Sequence, residues 1–269
     1  DRSPSRGLGD VYKRQGLIFN SMEVSSTRFD DRSFDRVCVD GLSLSTVWFE
    51  NCTITRPYGA PSGVSGVSLV DSELDCPEFG LRADWFATIA GSTLRDVVVE
   101  GSGVQFPISA KVMGSTVTGE IRNVSFAEHH RYDQLDGVDL SGCTLENVSF
   151  LGIPMERVTL SPEDEKLVIE DWAAVADDLH AVAREGMASS DGKVNLAAGE
   201  LHHFIEHDAS LFRSTHGLTR SVDSLGYDER RGSRYLHELV STDKPEWFVE
   251  AIRSLYREVD GGRLLPEGL

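Results

Sequence analysis

The chain has 269 residues, enough for one or two domains with a sizeable core, and its apolar content of 40% is that of an ordinary globular protein. Its 44 acidic residues outnumber 26 basic ones, and the net charge of −18 argues against direct binding to nucleic acid or to anionic membranes. No apolar run is long enough to cross a bilayer, and the four cysteines lack a CxxC spacing. In the absence of a secretory signal pattern, we expect a cytoplasmic protein with reduced cysteines.

The first fifteen residues, DRSPSRGLGDVYKRQ, differ in character from everything that follows. They are polar and basic in an otherwise acidic chain, and they resemble a translated sequencing-adapter read-through. We therefore expect residues 1–15 to be an artefact or a disordered tail outside the fold, with the true N-terminus missing.

From residue 19 onward an apolar side chain recurs at every fifth position. Another apolar residue generally lies two positions before each of these centres, and two polar residues follow it. Three residues of extended chain place two side chains on one face, and a polar pair then turns a corner, so the repeat predicts a coil whose turns stack. The eight consecutive centres are Phe19, Val24, Phe29, Phe34, Val39, Leu44, Phe49 and Ile54.

The same period returns before residue 160, at Leu140, Leu145, Phe150, Met155 and Leu160. Between the two regular blocks the pattern is broken by stretches that we interpret as loops. Residues 16–160 are thus predicted to form one solenoid domain of about seven coils, roughly 34 Å long at about 4.8 Å per coil. An open coil end is a bare sheet edge, so a cap is expected directly after Leu160.

These five-residue units resemble the pentapeptide-repeat family, whose consensus is A-(D/N)-L-x-x, over residues of about 17–160. The resemblance implies a right-handed, four-sided parallel β-helix. The family prefers small residues two before the centre, whereas this chain has Val37, Leu42, Val47 and even Arg32 there, which allows a wider coil. Quinolone-resistance members of the family bind DNA gyrase through an acidic, DNA-like surface, so the resemblance also implies a protein partner of that kind.

The periodicity becomes helical after residue 160, which predicts a small α-helical C-terminal bundle over residues 161–269. Ser161 and Pro162 are typical of a helix start, and we expect the first helix to end at Gly186. Further helices are predicted over residues 195–212, over 234–240 and from Asp243 onward.

Candidate binding residues lie at outward positions of the first coils. Trp48 precedes a centre by one residue and is a reasonable contact residue, although single exposed aromatic residues are also common on surfaces. The carboxylates that could imitate phosphates are Asp30, Asp31, Asp35 and Asp40.

A candidate metal site lies in the helical half, where Glu200, His203 and His207 share one side of the second predicted helix. Histidines four apart can share a metal, and His180, His202 and His216 are further candidate ligands. The competing and favoured interpretation is a solvated polar face.

We therefore expect a non-enzymatic protein–protein interaction module without a cofactor. Its partner is an unidentified protein such as DNA gyrase, with a homodimer left open. Two alternatives remain: a metal-binding enzyme or sensor in the helical half, and a structural module of a signalling or immunity protein.

Overall fold

The computed structural model describes residues 21–77, 79–102, 110–127, 135–151, 153–170, 172–215, 234–236, 239 and 244–259. For residues 127, 151, 173, 207–215 and 234 the description covers the backbone alone. The predicted tail at residues 1–15 lies outside this range, as do the inward positions Leu17 and Phe19.

Short parallel strands wind into a β-solenoid, as the five-residue period predicts. The strands are β1 (Glu23–Asp30), β2 (Ser33–Asp35), β3 (Ser43–Glu50), β4 (Thr53–Thr55), β5 (Gly63–Ser65), β6 (Val67–Val70), β7 (Glu73–Asp75), β8 (Gly80–Arg82), β9 (Phe86–Ala90), β10 (Thr93–Glu100), β11 (Lys111–Met113), β12 (Thr116–Arg122), β13 (Ser125–Ala127), β14 (Leu135–Asp136), β15 (Val138–Glu146), β16 (Ser149–Leu151) and β17 (Val158–Thr159). Single 3-10 turns at Ala83–Trp85 and Met155–Arg157 interrupt the coil.

Each strand pairs with the strand one coil away, so the sheets run along the rod. One sheet has the order β1-β3-β6-β9-β11-β14, and a second has the order β17-β15-β12-β10-β7-β4-β2. Strands β13 and β16 form a separate two-stranded sheet. In the first coils the register advances by 20 residues, for example from Ser33 to Thr53 and from Thr53 to Glu73. Four pentapeptide-length sides per turn account for this register.

The corners of the coil are made by residues in the left-handed region of backbone space. In residues 21–56 every fifth residue has a φ between 49° and 66°, which gives four corners in each 20-residue coil. Only one of them is a glycine, although this conformation costs an ordinary residue about 1–2 kcal/mol. Backbone hydrogen bonds between coils offset that cost, such as the one from the Asp31 N–H to the Glu50 carbonyl at 3.0 Å. These corner residues are Ser21, Ser26, Asp31, Arg36, Gly41, Thr46, Asn51 and Arg56.

Within the described residues the solenoid completes about six turns, whereas about seven were expected for residues 16–160. Beyond residue 90 the register lengthens to 23 residues, as between Thr93 and Thr116, and to 24 between Thr118 and Gly142. These coils therefore hold three or four more residues than the first ones. Six intervals of about 4.8 Å give a rod of about 29 Å.

The predicted inward positions fill the interior of the coil. Phe34 is buried, and Phe29 and Phe49 are half-buried and stack on each other with ring centroids 5.2 Å apart. Positions two before the centre are buried from Val37 onward, but Met22 is 46% exposed. Arg32, also predicted to follow the inward pattern, is exposed as well, so the prediction was wrong at these two positions.

A column of hydrogen bonds runs through the interior at Cys52, Ser72, Ser92 and Ser115, one residue in each successive coil. The Cys52 N–H donates to the Ser72 hydroxyl at 3.0 Å, and the Ser72 N–H donates to the Ser92 hydroxyl at 3.1 Å. The Ser92 N–H likewise donates to the Ser115 hydroxyl at 3.1 Å. We call these four residues the serine ladder; it satisfies backbone groups at buried corners where the strand pairing is interrupted.

The C-terminal region contains the short helix α1 (Pro162–Glu165), strand β18 (Val168–Ile169), helices α2 (Trp172–Met187) and α3 (Gly192–Thr215), strand β19 (Arg234–Tyr235) and helix α4 (Glu246–Glu258). Ser161 caps α1 as predicted, since its hydroxyl accepts from the Asp164 N–H at 3.1 Å. The prediction of one helix from Ser161 to Gly186 was wrong, because β18 separates α1 from α2.

A cap covers the C-terminal end of the solenoid, as expected. Phe150 packs edge-on against Tyr235 with centroids 5.7 Å apart, and the Tyr235 hydroxyl donates to Asp164 at 2.7 Å. The helix predicted over 234–240 was wrong where that segment is described, because Arg234 and Tyr235 pair antiparallel with β18 instead. The buried core continues from the last coil into α2, α3 and α4.

Candidate functional site

The outer surface of the first coils carries Trp48, which is 39% exposed. Trp48 lies in β3, in register with Arg28 of β1 on one side and Ser68 of β6 on the other. Its two neighbours in the strand, Val47 and Phe49, point into the rod. We call the outward residues Arg28, Asp30, Trp48 and Glu50 the Trp48 face.

Two carboxylates hold the arginine of this face in place. The Arg28 Nε donates to Asp30 Oδ1 at 2.7 Å, and its Nη2 contacts Glu50 Oε2. The hydrogen bond from Arg28 to Asp30 and the charges of both carboxylates raise the pKa of Arg28 above its ordinary value. Such exposed pairs contribute little to stability, so their main effect is to order the surface beside Trp48.

The other predicted carboxylates do not join the Trp48 face. Asp31 occupies a corner with a φ of 54°, and Asp40 accepts a hydrogen bond from the Ala60 N–H at 2.9 Å across the gap to the next coil. Asp35 accepts from the Arg56 guanidinium at 2.6 Å and from Thr55, and these bonds lower the pKa of Asp35. Asp35 and Asp40 therefore link neighbouring coils, and the sequence pattern did not reveal these partners.

Acidic residues elsewhere on the rod are spread over several sides and paired with arginines. The Arg95 Nη1 lies 3.6 Å from the Glu73 Oε2, and the Arg122 Nε lies 3.2 Å from the Glu146 Oε2, in a different sheet from Asp30. Arginines therefore offset part of the negative charge on these sides of the rod.

An apolar cavity of about 130 Å³ lies inside the first coils. Its lining side chains are all apolar and include Phe29, Val39, Leu44, Phe49 and Ile54. These side chains are half-buried, whereas Leu69 and Leu74 farther along the rod are buried. The cavity therefore lies among the apolar side chains at the N-terminal end of the described coils.

The predicted metal ligands Glu200, His203 and His207 all lie on α3. Glu200 is 3.8 Å from the Lys244 ammonium, and His203 is exposed beside Phe204. The side chain of His207 lies outside the described residues.

A different set of ligating side chains comes together where α2 packs on α3. His180, His202 and Glu206 each offer one ligand atom, and these atoms all lie within 4.8 Å of one another. Sequence spacing could relate His202 to Glu206, four residues apart on one helix, but the contact with His180 depends on how the two helices dock.

No helix among the described residues combines the length and the apolar character needed to cross a bilayer. No protein-family model, curated protein or solved structure matches this chain.

Proposed function

We propose that this protein is a non-enzymatic protein-binding module that contacts its partner through the Trp48 face. The single observation that carries the proposal is the exposure of Trp48 on a regular, hydrogen-bonded strand surface. Tryptophan and arginine are the residues that most often dominate binding energy at protein interfaces, and Arg28 is the cross-strand neighbour of Trp48.

The solenoid suits this role because its outer face is rigid before binding. Strand pairing on both sides fixes the backbone of Trp48, and the Arg28 ion pairs order the neighbouring side chains. A preorganised surface loses less conformational entropy on association. The four free cysteines of the chain support a cytoplasmic location for the complex.

A photo-cross-linking residue placed at position 48 tests the proposal in host lysate. We expect a discrete cross-linked partner from position 48 and none from position 58. Tyr58 is a matched control because its side chain is 49% exposed on another side of the same coils, where its backbone pairs with that of Cys38. Identical products from both positions, or none from position 48, would contradict the proposal.

Truncation of the aromatic side chain supplies the energetic test. A Trp48→Ala variant should lose at least about 2 kcal/mol of binding free energy, which is about thirtyfold in Kd. Its unfolding curve should stay close to that of the unmodified protein because Trp48 lies outside the core. Unchanged affinity for the cross-linked partner would remove Trp48 from the interface.

The more specific proposal is that the protein partner is DNA gyrase, and the acidic composition of the chain supports it. The pairing of acids with arginines on several sides of the rod weighs against a DNA-like surface. We expect saturating protein to alter gyrase supercoiling or quinolone inhibition if gyrase is the partner. Unchanged supercoiling and inhibition would leave the protein-binding proposal standing with another partner.

A further inference from the structure

We propose that His180, His202 and Glu206 form a binding site for a divalent transition metal such as Zn²⁺, which links α2 to α3. This site is separate from the Trp48 face and does not depend on the proposed function. It also differs from the set Glu200, His203 and His207 that the sequence suggests.

The helical hairpin brings the three residues to one level. Only four residues connect α2 to α3, so the two helices pack as neighbours. His180 lies seven residues before the end of α2 and His202 ten residues after the start of α3. At about 1.5 Å per residue both are within about 15 Å of the connection, and Glu206 lies one helical turn beyond His202.

The contacts between the side chains already approach coordination distances. The His180 Nε2 atom lies 3.1 Å from Glu206 Oε1, and the His180 and His202 rings are 4.5 Å apart between centroids. Tetrahedral ligands at about 2.0–2.1 Å from zinc are separated by about 3.3 Å from one another. Since no pair of ligand atoms is more than 4.8 Å apart, side-chain adjustments of about 1–1.5 Å complete the geometry.

The chemistry of the donors selects the metal. Two imidazole nitrogens and one carboxylate oxygen are a ligand set used by zinc proteins, whereas Ca²⁺ and Mg²⁺ prefer sites made of oxygen alone. Three protein ligands leave a fourth position for water, which reaches the site because Glu206 is exposed. The net charge of −18 further favours cations near the protein.

A metal bound at this site connects two helices whose packing holds the ligands in place. Leu179, directly before His180, and Leu201, directly before His202, are both fully buried. The ligands therefore lie at the edge of the helix–helix core, where their backbones are held by packing. Binding that requires the docked hairpin stabilises it by mass action.

Titration of the tag-free full chain with ZnCl₂ after chelator treatment tests the site. We expect one equivalent to bind, with a rise in the Tm of the chain. His202→Ala and Glu206→Gln should each weaken binding by more than about tenfold, since even losses in the outer shell of a metal site cost about 10–100-fold. His203→Ala and Glu200→Gln are matched controls on the same helix, and they should bind zinc like the unmodified chain.

Three results would overturn the proposal: no zinc bound to the unmodified chain, full zinc affinity in His202→Ala, or loss of affinity confined to the two control variants. The last result would assign the metal to the set on the other side of α3. Titration with CoCl₂ keeps the test decisive if a variant folds poorly. The unmodified chain should then show the d–d absorption of tetrahedral Co²⁺ with a nitrogen and oxygen ligand set, and an octahedral, water-like spectrum would contradict the assignment.

Discussion

Replacement of Ser92 by alanine is the most informative perturbation of the solenoid interior. Ser92 is 1% exposed, and its hydroxyl makes two hydrogen bonds. It accepts from the Ser72 N–H of the preceding coil at 3.1 Å and donates to the Ala90 carbonyl at 2.9 Å. Alanine removes both bonds and leaves the packing of the rod otherwise unchanged.

The expected loss follows from which atoms keep a partner. The Ala90 carbonyl still accepts from the Asp71 N–H at 2.8 Å, so it stays satisfied. The Ser72 N–H loses its acceptor in the buried interior, and such a group costs about 1–3 kcal/mol. We therefore expect the free energy of unfolding of Ser92→Ala to fall by about 1–3 kcal/mol.

Equilibrium unfolding in urea, followed by far-UV circular dichroism, measures this change. At a slope of about 3 kcal/mol/M the midpoint should fall by about 0.3–1 M. Ser65→Ala is the matched control, since Ser65 is exposed on β5 of the same rod, and it should stay within about 0.5 kcal/mol of the unmodified protein. Ser115→Ala should repeat the loss, because it deprives the Ser92 N–H of its acceptor.

Equal midpoints for Ser92→Ala and Ser65→Ala would refute the reasoning. That result would mean that the Ser72 N–H finds another partner or that water reaches the interior of the coil. The serine ladder would then be a consequence of stacking rather than a contributor to stability.

Three further predictions concern other positions of the solenoid. Gly119→Ala should lower the free energy of unfolding by more than about 3 kcal/mol in the same urea assay, because Gly119 has a φ of +119° and an added Cβ would lie 2.1 Å from the Val97 carbonyl oxygen. The control Gly114→Ala, with open space around its Cβ, should lower it by about 1 kcal/mol, and equal losses from the two variants would contradict the clash. Burial raises the pKa of the Cys143 thiol to about 12, so iodoacetamide at neutral pH should leave Cys143 unlabelled in the folded chain and modify it after denaturation. Rapid labelling of Cys143 in the folded chain would contradict its burial. Hydrogen bonds from the Ser141 hydroxyl and backbone N–H lower the pKa of Asp139, so we expect NMR to show its carboxyl titrating below the ordinary pKa of about 3.9. The stability that these bonds contribute is present above that value and is lost as the pH falls through the folded pKa. An ordinary pKa for Asp139 would contradict those bonds.

The solenoid was predictable because each coil obeys a local rule. The period of five places Phe29, Phe34 and Phe49 inward by spacing alone, and the same rule predicts a corner at each polar pair. The length of each coil was less predictable, because the apolar pattern is broken between the two regular blocks, where the register lengthens to 23 and 24 residues.

The capping region shows where local pattern fails. Val168 and Tyr235 fit helical spacing, yet they lie in an antiparallel strand pair. Tyr235 is needed against Phe150 at the end of the rod, and the burial of that aromatic contact outweighs the small differences in local propensity.

By itself the sequence determined the coil, its inward residues and the change to helix near residue 160, because these depend on spacing along one stretch of chain. Only the tertiary structure decided that Arg28 lies beside Trp48, that Asp35 is paired with Arg56, and that His180 meets Glu206. Each of these contacts joins residues about 20 or more positions apart. Their distance depends on the coil register or on helix docking, which no local spacing encodes.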